Sequence, residues 1–142
     1  MAQLRVLLGG FYSDEGDKAQ AKTNYEQALS SAKEIGDPAT ASDAETGLCN
    51  VARTEGDWAT ARTHAENAVA AARTAGEKKL VATALFGLSG ALLGQGDLEG
   101  VRKASDEGLA AAQESGDKDI IALGFYDVAD APFFKEIGRA HV

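Results

Sequence analysis

Few side chains in this sequence are of a kind that performs chemistry, and none is placed to do so. A histidine acts as a metal ligand or general base only when partners converge on it. His64 is flanked by Arg62, Ala65 and Glu66 in a surface register of its helix, and reads as a solvated residue. The lone cysteine, Cys49, falls at a small-residue position, where a packed thiol is expected rather than a nucleophile. Gly87, Gly90, Gly94 and Gly96 lie within one helix and its end, without the preceding strand that a phosphate loop requires. The acidic pairs Asp14-Glu15, Asp43-Glu45 and Asp106-Glu107 have no distinctive spacing and read as solvated faces. Trp58 reads as an inter-repeat packing residue. No catalytic constellation, metal-ligand set or cofactor motif is expected, so the chain is read as a non-enzyme.

The composition narrows what must position these residues. Of 142 residues, 28 are Ala and 16 Gly, while Leu, Ile, Val and Phe together supply only 29, so a core must pack through small side chains. Abundant Ala and only two prolines favour helix over a β-sandwich. A net charge of −8 argues against direct nucleic-acid contact, which needs a positive surface. A single cysteine excludes an internal disulfide framework and fits a reducing compartment. No apolar run approaches the roughly 20 residues of a membrane span, and the N-terminus shows no convincing cleavage site. A cytoplasmic helical protein is expected, without a membrane partner.

Internal repetition is the strongest signal. Gly-Asp recurs at 16–17, 36–37, 56–57, 96–97 and 116–117, with Gly76-Glu77 in the remaining slot; the glycines fall every 20 residues and the fuller pattern every 40. Glycine takes the left-handed conformation that ends a helix, and the following Asp caps the next one. Asp17 and Gln20 have capping-box spacing, and Pro38 after Asp37 fits a first helical position. The intervening helices should run about 16–18 residues, roughly 25 Å. The second helix of each pair carries an apolar stripe: Ala21, Tyr25, Ala28, Leu29 and Ala32; Ala61, Ala65, Ala68, Val69 and Ala72; Val101, Ser105, Gly108, Leu109 and Ala112. Gly9, Cys49, Ser89 and Ala129 share one register and point to close helix approach. Such pairs bury their faces only by stacking on neighbours.

These residues resemble tetratricopeptide repeats. The matching positions are Gly9, Cys49 and Ser89 within the first helices, Gly16, Gly56 and Gly96 at the turns, Trp58 just beyond, and Ala21, Ala61, Val101, Ala28, Ala68 and Gly108 along the second helices. Lys18 and Leu98 depart from the aromatic position, the usual terminal proline is absent, and the period of 40 exceeds the usual 34. The pattern looks like the longer-helix variants in the C-terminal regions of maltose-regulator-type bacterial transcription activators. The resemblance implies an all-α, right-handed solenoid of stacked antiparallel helix pairs, about three and a half repeats, whose first helices line a concave groove that takes extended peptides or partner segments. In that groove register stand Asp43, Thr46, Asn50 and Arg53, then Thr83, Phe86, Gly90 and Leu93, then Tyr126 and Asp130. Asn50 and Arg53, one turn apart, are placed to reach one peptide carboxylate or carbonyl. Phe86 and Tyr126, 40 residues apart, are placed to offer an apolar or stacking pocket. Register alone does not separate such a groove from ordinary surface variation.

The expected function is a protein- or peptide-binding module of a larger bacterial signalling or transcription regulator; the alternative is a self-assembly scaffold. The array is expected over residues 1–135. The final Glu-Ile-Gly-Arg-Ala-His-Val at 136–142 reads as the translation of a common short-read sequencing adapter, hence a non-native tail, with a natural polar tail as the alternative. Pro132 interrupts the last expected helix, and Met1 aligns with mid-unit Ala41, Val81 and Ile121. A fragment truncated at both ends lacks polar capping repeats and is expected to self-associate through its uncapped ends.

Overall fold

Each glycine of the 20-residue ladder sits at a bend. A computed structural model describes residues 1–130 of the chain, with side chains to Tyr126. These form α1 (Ala2–Asp14), α2 (Lys18–Ile35), α3 (Pro38–Glu55), α4 (Trp58–Ala75), α5 (Lys78–Gln95), α6 (Leu98–Ser115) and α7 (Lys118–Asp130), with no strand among the described residues. Gly16, Gly36, Gly56, Gly76, Gly96 and Gly116 have φ between 68° and 80°, the left-handed region where a side chain is strained. The Asp that follows restarts the helix. Side chains of Asp17, Asp37, Asp57, Asp97 and Asp117 accept the backbone N–H of Gln20, Thr40, Thr60, Gly100 and Ile120. Each such cap is worth about 1 kcal/mol. Glu77, one methylene longer, makes no capping bond. Hydrogen bonds from Thr40 and Thr60 hold the Asp37 and Asp57 carboxyls below the usual range.

Consecutive helices pack against each other, and α1 also touches α3, α3 touches α5, and α5 touches α7. The odd helices therefore form a row, with the even helices alongside. An even helix buries one stripe, in α4 the expected Ala61, Ala65, Ala68, Val69 and Ala72. The middle odd helices are covered on several sides: α3 buries Ser42, Ala44, Glu45, Leu48, Cys49 and Val51 among others. The core is built from small groups, and the largest side chains fully closed from solvent are Cys49 and Ser42. Large residues enter it where glycine makes room. A methyl group at Gly9 would lie 2.6 Å from the Tyr25 ring, and one at Gly47 would overlap the same ring.

No helix among the described residues is long and apolar enough to cross a membrane. Pro132, the 136–142 tail and the side chains of Ala129 and Asp130 lie outside the described residues.

Candidate functional site

The groove-register residues converge through the row of odd helices. Thr46, Asn50 and Arg53 from α3, Thr83, Phe86, Gly90 and Leu93 from α5, and Tyr126 from α7 line one cavity of about 410 Å³. Gly87, Ser89, Val101 and Leu123 complete its wall. Asp43 does not reach this cavity. It stands nearer the start of α3, where burial first, then Glu77 and Asp37, push its carboxyl above the usual range against the pull of Lys79. Asp130 closes α7, but its side chain is outside the described residues.

Arg53 is the distinctive group. Its guanidinium lies over Gly90, where a methyl group would fall 2.5 Å from Cζ. The Nε atom is buried without a hydrogen-bond partner. Nη1 stands 3.5 Å from Asn50 Oδ1, a long contact, and Arg53 forms no ion pair with any described carboxylate. A buried donor left unpaired is costly, and Arg53 carries that cost at Nε while its side chain lines the cavity. Phe86 and Tyr126 take different parts. The Phe86 ring is buried, within 2.7 Å of where methyl groups on Gly108 and Gly124 would lie, and is spent on packing. Tyr126 is 76% exposed and free to meet a ligand.

The glycines of α5 have a role that sequence alone does not disclose. Gly87 receives the Cys49 thiol, whose Sγ donates to the Gly87 carbonyl at 3.8 Å. Gly90 receives Arg53, and Gly94 the Trp58 indole, which would overlap any side chain there. Trp58 is thus an inter-repeat packing residue, as expected. Burial pushes the Cys49 thiol up to about 11, against the weaker opposing effect of Arg53, so it stays protonated and unreactive at neutral pH.

One expectation is corrected. His64 is not a simple solvated residue: its Nδ1 lies 2.7 Å from Oε2 of Glu45, and Glu45 is only 4% exposed rather than part of a solvated face. Sequence reasoning missed the pair because its members are 19 residues apart on neighbouring helices, and neither repeats at the 40-residue offset.

Among the described residues, no three His, Cys, Asp or Glu side chains cluster as a metal site. No protein-family model matches the chain, and no curated protein matches it significantly.

Proposed function

We propose that the chain is a protein- or peptide-binding module of the tetratricopeptide type, a right-handed solenoid whose odd helices line the groove. It is read as a cytoplasmic interaction or sensing segment of a larger bacterial regulator, without catalytic activity of its own. The observation that carries this reading is the convergence of Thr46, Asn50, Arg53, Thr83 and Tyr126 from three odd helices on one cavity, with the Nε of Arg53 buried and unpartnered. An extended peptide laid across α3, α5 and α7 would meet, in order, a cation with a neighbouring amide, an apolar wall at Leu93, and the Tyr126 ring. A carboxylate gains most there, because a charge-assisted bond to Arg is about twice as strong as a neutral one.

A display library of random extended peptides tests this. Selected sequences should share an acidic side chain or a free C-terminus, and Arg53→Ala should weaken them at least about tenfold, roughly 1.4 kcal/mol. Binders indifferent to both Arg53→Ala and Tyr126→Ala would reject the groove. Phe86 is unsuitable for this test, since its truncation would disturb packing.

One observation favours the scaffold alternative. Leu7 and Phe11 on α1 are 67% and 57% exposed, although their 40-residue counterparts in α3, Gly47 and Val51, are buried. A face that the repeat covers elsewhere is open here. Light scattering across a dilution series, with Leu7→Glu as control, separates assembly through this face from peptide binding.

A further inference from the structure

One side of α1 is built unlike the corresponding side of α3 and α5. Leu4, Leu7, Leu8 and Phe11 fall at i, i+3, i+4 and i+7 and form a single stripe, between 38% and 67% exposed. Forty residues on, the same positions carry Ala44, Gly47, Leu48 and Val51, and eighty on, Ala84, Gly87, Leu88 and Ala91. Those later positions receive the preceding repeat. Gly47 takes the Tyr25 ring of α2, which a methyl group would overlap, and Gly87 takes the Cys49 thiol of α3. Small residues there let consecutive repeats approach closely. In α1, leucine replaces alanine at 4 and glycine at 7, and phenylalanine stands at 11. A repeat seated on α1 as α2 is seated on α3 would drive its packing residue into Leu7. The stripe therefore fits a helix that meets it at the wider end of the usual spacing, about 10 Å.

The stripe complements itself when two copies of α1 run antiparallel. A two-fold axis between residues 7 and 8 sets Leu4 against Phe11 of the second copy and Leu7 against its Leu8. Every position then meets a large apolar side chain. Charge selects the same direction. Arg5 lies in the first half of α1, where the helix dipole is positive, while the exposed carboxylates of Asp14 and Glu15 stand at its end. Antiparallel pairing brings unlike halves together, and parallel pairing sets like on like. The groove register falls in α1 on Gln3, Val6, Gly10 and Ser13, off the stripe.

We propose that this chain forms a two-fold dimer through an antiparallel contact of α1 with α1, centred between Leu7 and Leu8. The dimer gives the assembly reading of the α1 face one partner and one geometry, rests on that reading, and leaves the peptide groove free. An isologous contact occupies the stripe on both copies, so association closes at two. A face of two helical turns makes a small interface, and the dimer is a weak, reversible one.

Sedimentation equilibrium of the full chain tests this over about 1 µM to 1 mM, the range of weak interfaces. Monomer and dimer should be present, and no larger species. Leu4→Glu and Phe11→Lys change side chains that are more than half exposed. Each also suits its end of the helix dipole, so helicity by circular dichroism should hold. Each alone should weaken dimerisation at least about tenfold by setting a charge against an apolar partner. Mixed, the two should recover a one-to-one heterodimer, because position 4 of one copy then faces position 11 of the other. Leu7→Glu mixed with Leu8→Lys repeats the exchange at the centre of the stripe, should either outer variant fold poorly. Recovery only when Leu4→Glu is mixed with Leu4→Lys would mean parallel pairing and overturn the dimer. So would association that grows past two copies. Dimers indifferent to both single changes would also overturn it, while leaving assembly through another face standing. A parent monomeric at the highest concentration would remove the dimer and the assembly reading together.

Discussion

Between α1 and α2 the seam is closed by a ring: the same edge of Tyr25 lies against Gly9 and against Gly47 of α3. Forty residues on, the corresponding seam between α3 and α4 holds Cys49 and Ala65, both in one buried apolar cluster. In the third pair Ser89 and Ser105 stand at the same register, buried, with their hydroxyl oxygens 2.8 Å apart. One geometric position is thus satisfied by ring on glycine, by thiol on methyl, and by a hydroxyl pair. The comparison teaches that one close approach of backbones accepts facing pairs of quite different size and polarity, provided that each pair fills its own seam. It also explains the low content of large apolar residues, because close approach leaves space for only one bulky partner per seam.

Breaking the aromatic seam should have the largest effect. Tyr25→Ala removes a buried ring that no neighbour can replace, and should cost about 3–4 kcal/mol in denaturant unfolding. Gly9→Ala probes the same seam from the other side. An alanine at an open mid-helix position would gain about 1 kcal/mol over glycine, but here its methyl would stand 2.6 Å from Tyr25 Cε1. Overpacking should win, with a net loss of about 1–2 kcal/mol. Combined with Tyr25→Ala, the same Gly9→Ala change should become favourable, and that change of sign is what the unfolding cycle would detect. A Gly9→Ala variant as stable as the parent would show that the ring is not confined as described.

The polar seam sharpens the comparison at a smaller scale. Ser105→Ala should cost about 1–2 kcal/mol by leaving the Ser89 hydroxyl short of a buried partner. Replacing both serines with alanine gives a seam like that of Cys49 and Ala65, and should cost less than the sum of the single changes. Strict additivity in thermal unfolding would mean the two hydroxyls act separately. The smallest effect expected is a gain: Glu77→Asp supplies the cap that the other bends have, and should raise stability by about 0.5–1 kcal/mol. No change in melting temperature would indicate that the α5 start is satisfied without it.

The bends were legible in the sequence because their chemistry is local. A residue that must take positive φ and a short carboxylate immediately after it leave little choice of type, so the Gly-Asp ladder marks both ends of each helix. The stripes of α2, α4 and α6 were legible for a similar reason, since one buried face has one period. The convergence of Thr46, Asn50, Arg53, Thr83 and Tyr126 was expected from the groove register that the tetratricopeptide resemblance implies, although Asp43 of the same register does not reach the cavity. The rest depends on which side chain crosses between helices, and spacing does not encode that. Phe86 shares its register with Tyr126, yet its ring is drawn into the gap left by Gly108 and Gly124. The landing sites at Gly90 and Gly94 are defined by Arg53 and Trp58 on other helices. The Glu45–His64 pair escaped notice because its register partners, Leu85 and Ala104, are apolar, so the repeat itself argued against a charge there.

The near-identity of the bends has a consequence for how such a chain changes length. Each Gly-Asp junction sets its left-handed turn and its helix cap within two adjacent residues. Unequal recombination between one Gly-Asp and the next but one would therefore delete or duplicate a complete helix pair while leaving both splice points chemically ordinary. What such an event would have to renegotiate is the fit of side chains between the pairs newly made neighbours.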